Sequence, residues 1–160
     1  MATPAAVAEV TAQDLQIAAR ALSFLHKPLN GEVAVGIVYV RGNPQSLKEA
    51  ESLQRMLNEG LKVGNITLRS SLVSLAETPH ASVRLFFLTT GLGADANSLA
   101  DVSRAKHLPC FTTDLSQVAA GRCAVGVRSQ PKIEIVVNRV AATASGTTFS
   151  TVFRMMITEM

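Results

Sequence analysis

Tryptophan is absent from this 160-residue chain, tyrosine occurs once, and aromatic side chains make up only 4% of it. Surfaces that read nucleic acid stack bases on aromatic rings or present a basic stripe. Here Arg20, Lys48, Arg55, Arg69, Arg104, Arg128 and Arg154 are scattered and the formal net charge is only +3, so nucleic acid is not an expected partner. No apolar run approaches the ~18 residues of a membrane span, so the chain is expected not to cross a membrane. Metal-ligand spacings, a G-x-S-x-G elbow and a local Cys-His motif are all missing. His26, His80 and His107 each lie near the end of a helix or loop, and His107 reads most simply as a C-terminal helix cap. The first ten residues, Met1 to Val10, lack the basic and apolar regions of a signal peptide. Two expectations follow from that: a cytoplasmic chain, or the mature form of an exported one whose leader has been replaced by Met.

Cysteine is scarce too. Cys110 and Cys123 are the only two, which is neither a disulfide framework nor a zinc site. Both stand in apolar, strand-like surroundings. They read either as two buried free thiols or as one disulfide, since strands over 109–113 and 122–128 would be neighbours if within ~7 Å between Cα atoms.

What the chain has is apolar residues, 48% of the total, in alternating periodicities. Leu15, Ala18, Ala19, Leu22 and Leu25 recur at helical spacing over 12–26, with Pro28 expected to stop the helix. The run Val33 to Val40 is apolar on both faces, as in a central strand. Asn43 and Pro44 supply an N-cap and first position, and Leu47, Ala50, Leu53 and Leu57 form a stripe ending at Gly60. Strands over 66–73 and 83–88, a helix over 94–107, a strand over 109–113 and a turn capped by Asp114 continue the alternation. Strands over 122–128 and 132–138 are close enough for an antiparallel hairpin. The order predicts an α/β three-layer sandwich with a mixed, mainly parallel sheet and an antiparallel C-terminal edge hairpin. One domain is expected over 12–160, preceded by a disordered or leader-junction segment over 1–11. Glu49 and Glu51, beside Lys48 and Arg55, read as a solvated helical face with an i,i+4 pair from Glu51 to Arg55.

Two stretches invite a chemical reading. The first, Gly91-Leu-Gly-Ala-Asp-Ala96, fits G-x-G-x-x-A after a strand and before a helix, with Asp114 at the end of the next strand, as in a dinucleotide fingerprint. Asp95 puts a carboxylate where the phosphate would sit, so the favoured reading is a glycine-rich turn whose acid complements the helix dipole. The alternative is a nucleotide-binding enzyme acting through Gly91 and Gly93. The second is the crevice beyond the carboxyl ends of the strands, where open α/β sheets bind ligands. Arg41, Asn43, Thr90 and Asp114 stand there and would suit a small polar or anionic ligand, although Asn and Thr also serve as caps. No cofactor and no metal are implied.

The most distinctive stretch is the C-terminal one: Gly121-Arg-Cys123, Ile133-Glu-Ile-Val-Val-Asn138 and Gly146-Thr-Thr-Phe-Ser150 ahead of an amphipathic end. Together with Phe24-Leu-His-Lys-Pro28 and the strand Val33 to Val40 with Asn43-Pro44 after it, the chain from residue 12 onward resembles the YfiR-like family of small bacterial regulators. The resemblance implies a non-enzymatic, periplasmic, homodimeric protein that represses the sensor part of an inner-membrane diguanylate cyclase, in cyclic di-GMP signalling and biofilm control. It implies no cysteine pairing, because the spacing of Cys110 and Cys123 departs from that of family members. The terminal segment offers Met155, Met156 and Ile157 as a partner or dimer surface, since Met suits an adaptable contact. Phe149, Val152 and Phe153 are expected to pack in the core.

Overall fold

A computed structural model of the protein describes residues 10–25, 27, 29–58 and 61–160. Helix α1, Ala12–Leu22, begins at Thr11, whose hydroxyl accepts the Asp14 N–H while the Asp14 carboxylate accepts the Thr11 N–H. This reciprocal pair satisfies two backbone donors that the first helical turn leaves free. Leu15, Ala18, Ala19 and Leu22 then fall on one buried face. The helix stops at Leu22 rather than continuing over 12–26, and Leu25 instead bridges to Phe149. The expected stop at Pro28, like Gly60, lies outside the described residues.

Strand β1, Gly31–Tyr39, leads into helix α2, Pro44–Asn58. Asn43 accepts the Ser46 N–H at 3.1 Å, so the Asn-Pro pair does start the helix. Strands β2, Leu61–Val63, and β3, Ile66–Ser74, then form a tight antiparallel hairpin. Gly64 takes φ +58° in its turn, a conformation that costs glycine little. A single 3-10 turn over Leu75–His80 leads to β4, Leu85–Leu88. Beyond it, the expected 94–107 helix divides into a 3-10 turn, Gly93–Ala96, and helix α3, Asn97–Lys106. His107 caps α3 with φ +52°, its N–H bonded to the Ser103 carbonyl. Strand β5, Cys110–Thr112, helix α4, Leu115–Ala119, and strand β6, Val125–Arg128, form a further crossover unit. The chain ends with β7, Glu134–Val137, helix α5, Arg139–Ala144, helix α6, Thr151–Arg154, and β8, Thr158–Glu159.

All eight strands join one sheet in the order β2-β3-β1-β4-β5-β6-β7-β8. The run β3-β1-β4-β5-β6 is parallel. β6 and β7 make the expected antiparallel pair, but it is not the edge: β8 pairs parallel to β7 outside it, at Val136↔Thr158 and Val137↔Glu159. Alternate side chains divide between two cores. Val33, Val35 and Ile37 of β1 and Phe87 of β4 pack with Leu15, Leu22, Leu53 and Leu57 of α1 and α2. Val38, Phe86 and Leu88 face the other way onto Leu92, Ala96 and Leu99, with Cys110 and Cys123. The molecule is therefore a three-layer α/β sandwich whose central strands are apolar because both faces are covered.

Several smaller expectations are corrected by this packing. Leu47, assigned to the α2 stripe, is 38% exposed, because the buried face of α2 runs through Ser46, Ala50, Leu53 and Leu57 and Leu47 lies beside it. Val152, expected in the core, is 71% exposed, since the short α6 turns only Phe149 and Phe153 inward, where Phe153 stacks on Phe24 with ring centroids 4.7 Å apart. Ile157, expected on a contact surface, is half-buried against the core, whereas Met155 and Met156 are exposed. The Glu51–Arg55 ion pair does not form among the described residues.

Candidate functional site

The carboxyl ends of β1 and β4 lie side by side, and their connections leave in opposite directions: β1 through α2 toward β3, β4 through α3 toward β5. Helix α2 covers one face of the sheet and α3 the other. That is a topological switch point, where diverging loops open a crevice. Arg41 and Asn43 follow β1, Thr90 follows β4 and Asp114 follows β5, so all four side chains stand on one edge of the sheet.

The floor of the crevice is tied down by buried hydroxyls. Thr89 Oγ1 donates to the Val38 carbonyl at 2.9 Å and lies 2.7 Å from Ser46 Oγ, which in turn accepts the Val40 N–H at 3.1 Å. This network joins β1, β4 and the first turn of α2, and it gives each buried polar group a partner. Thr90 donates both its N–H, at 2.8 Å, and its hydroxyl, at 2.9 Å, to Glu49 Oε2. Glu49, read from the sequence as part of a solvated helical face, is therefore a strut of the loop; the two residues are 41 positions apart, so local pattern carries no trace of the contact.

Asp114 has the same structural occupation. One oxygen accepts the Ser116 N–H at the start of α4 and the other accepts the Gly91 N–H at 3.0 Å. This arrangement suits the favoured reading of Gly91 and Gly93, a glycine-rich turn, better than the dinucleotide alternative. The amide that would face a phosphate already faces a carboxylate, Asp95 adds a second negative charge, and the turn after it is 3-10 rather than the start of α3. Both glycines take positive φ, +76° and +52°, which accounts for their presence as turn formers.

Arg41 and Asn43 keep unused capacity. Arg41 donates to Glu77 at 2.7 Å in an ion pair whose partners are 72% and 59% exposed. The Ser74 hydroxyl, donating to Glu77 at 2.6 Å, is the main cause holding that carboxyl below its ordinary pKa, with the Arg41 charge adding to it. Asn43 uses its side-chain oxygen on the α2 cap, and its amide nitrogen has two further hydrogens to donate. The edge thus presents a guanidinium and an amide above a rigid, hydrogen-bonded floor.

Away from this edge, Cys110 and Cys123 are joined by a disulfide, with Cα atoms 5.0 Å apart. Parallel pairing of β5 with β6, at Phe111↔Val125, brings the two positions together. Among the described residues no group of His, Cys, Asp and Glu could hold a metal ion, and no helix is long and apolar enough to cross a membrane.

No protein-family model matches the chain, and no curated protein matches it. Solved structures do. A conserved domain protein from Vibrio cholerae O1 biovar El Tor superimposes with a TM-score of 0.62 at 14% identity over 92% of this chain. The ABC domain in complex with L-Trp from Streptococcus pneumonia gives 0.61 at 11% identity over 91%. The ligand-free, open structure of a substrate binding protein with adhesive properties from Clostridium difficile gives 0.62 at 9% identity over 92%. The chain spans 59%, 60% and 58% of the lengths of these three structures. At such identities the likeness is one of fold.

Proposed function

We propose that this chain is a non-catalytic, extracytoplasmic domain that binds a small polar or anionic ligand at the switch point between β1 and β4. The observation that carries this reading is the placement of Arg41, Asn43 and Thr90 together on that edge, over a floor already satisfied by its own hydrogen bonds. The fold likeness to substrate-binding proteins supports it, and so does the disulfide, which belongs to an oxidising compartment. Glu77 serves as an internal stand-in for the ligand. Its ion pair with Arg41 is solvent-exposed and worth little, so a ligand carboxylate can take its place at small cost. Calorimetric titration with L-amino acids, including the L-Trp held by one structural neighbour, and with small dicarboxylates tests the reading. Arg41→Ala should weaken any binding at least about tenfold, and Glu77→Gln should strengthen it. Binding unchanged in both variants would remove this edge from consideration.

A second reading, a homodimeric periplasmic regulator that represses a membrane diguanylate cyclase, rests on the YfiR-like resemblance. One observation favours it: Val140, Val152, Met155 and Met156 are 80%, 71%, 85% and 72% exposed near the C-terminal end. Exposed apolar groups of this kind mark contact surfaces when they adjoin. Met155→Glu with Met156→Glu should then abolish recovery of an inner-membrane cyclase from envelope fractions, while leaving any small-ligand titration untouched.

A further inference from the structure

We propose a second ligand site at the opposite end of the sheet, where a cavity between α3, α4 and α5 takes a small aliphatic carboxylate through Arg122. The cavity, open to solvent, has a volume of about 460 Å³, within the roughly 300–1,000 Å³ typical of small-molecule sites. Helix α3 contributes Ala100 and Ser103, the segment after α4 contributes Ala120 and Arg122, and α5 contributes Ala141 and Ala144. Its lining includes Arg122 and Arg104 and no Asp or Glu side chain.

Among the described residues no Asp or Glu side chain forms an ion pair with Arg122. Its Nε donates to Asn97 Oδ1 at 2.5 Å and its Nη1 to Gln117 Oε1 at 3.1 Å, both neutral amide oxygens. Those two bonds use two of the five guanidinium donors and fix the plane of the fork, leaving three for a further acceptor. Gln117 is itself fully buried and held by a bond from its Nε2 to the Gly93 carbonyl at 3.1 Å, so the positioning group does not move freely. Arg104, by contrast, is spent on Asp101 at 2.8 Å on the solvent side. Ser103 supplies an independent sign: it is 5% exposed, lines the cavity, and its hydroxyl has no hydrogen-bond partner among the described residues. Buried hydroxyls are ordinarily paired. A cation held ready by two amides, an unpaired hydroxyl and walls of alanine methyls together define a compact anion with an aliphatic body. The site stands apart from the switch-point edge and does not depend on what binds there.

The probes are isovalerate, its neutral isostere isovaleramide, and inorganic phosphate, each titrated into the full 15N-labelled chain and followed by backbone amide shifts. Isovalerate should shift the amides over 119–124 and 138–145 saturably. Isovaleramide and phosphate should bind at least about tenfold more weakly, since each lacks one half of the recognised chemistry. Arg122→Gln should weaken isovalerate by a similar factor. Should that variant lose its fold, Ala144→Leu carries the test: Ala144 is exposed on α5 and lines the cavity, so leucine there obstructs it without entering the core. Absence of saturable shifts, shifts confined to 41–43 and 89–91, phosphate or isovaleramide binding as tightly as isovalerate, or full affinity in either folded variant overturns the proposal.

Discussion

Reducing the Cys110–Cys123 bond should lower the stability of the protein by about 3 kcal/mol, the loop-closure value for a ring of roughly 15 residues; the two cysteines are 13 positions apart. Reduction isolates this effect because both side chains are 1% exposed and remain packed against Val38, Phe86 and Leu99 as thiols. For a chain of this size, 3 kcal/mol corresponds to a fall in Tm of about 6–12 °C. The assay is urea unfolding of the oxidised protein and of protein refolded in reductant, followed by circular dichroism, with the bond verified by mass under non-reducing conditions. The denaturant slope should rise on reduction, because the unfolded chain without its cross-link exposes more surface. Replacing both cysteines by alanine should cost more than reduction, since it also removes sulfur from a filled core. Coincident oxidised and reduced curves would refute the reasoning. So would quantitative alkylation of two thiols in protein recovered from an oxidising compartment.

Gly126→Ala should destabilise by about 1–3 kcal/mol, because a Cβ there would lie 2.5 Å from Leu115 Cδ2 and 2.9 Å from Val118 Cγ2 where α4 packs on β6; chemical denaturation checks this, and an unchanged midpoint would mean that α4 sits farther from the sheet. The Glu77 carboxyl, held down chiefly by the Ser74 hydroxyl and further by Arg41, should titrate below its ordinary 4.5. A carboxyl depressed in the folded state contributes stability that is present above its unfolded pKa and is lost as pH falls through the folded value, so the loss falls in acid, from about the ordinary 4.5 downward. Carbon-detected NMR titration should show Ser74→Ala moving Glu77 back toward 4.5, and a value unmoved by that substitution would contradict the assignment of cause.

The layers of the fold were legible because periodicity and punctuation agreed. The apolar run at Val33 to Val40 could only be a strand covered on both faces, Asn43-Pro44 started α2, and Asp114 capped α4 where the pattern placed it. The misses have physical causes. The β2–β3 hairpin is hard to read from the sequence although Gly64-Asn65 between apolar residues is a turn signal; with only three residues in β2, alternation is too short to register. The edge position of β6 and β7 was overturned by β8, a two-residue strand whose pairing is decided by where α6 delivers the chain rather than by its own composition.

The polar sites were far less legible, and the reason lies in how they are built. At the switch point each residue picked from the sequence was correctly assigned to the strand ends, yet Thr90 and Asp114 prove to be held by groups 41 and 23 positions away. Arg122 shows the same principle more sharply. In the sequence it is one scattered base inside Gly121-Arg-Cys123. In three dimensions the carbonyl of Gln117 accepts the N–H groups of both Arg122 and Cys123, the Gln117 side chain accepts from the Arg122 fork, and Cys123 is bonded to the start of β5. Cys123 points into the core on one side of the segment while Arg122 lines the cavity on the other. The disulfide and the buried glutamine therefore fix Arg122 and Cys123 from two directions. Opening the disulfide should loosen the backbone at Arg122 and Cys123 before it unfolds the sheet, because their two N–H groups then share one acceptor, the Gln117 carbonyl, at 3.0 and 3.4 Å. Amide exchange at Arg122 and Cys123 should accordingly accelerate on reduction more than exchange at Phe86 or Val38, and equal acceleration at all four would mean that the bond stabilises only the chain as a whole.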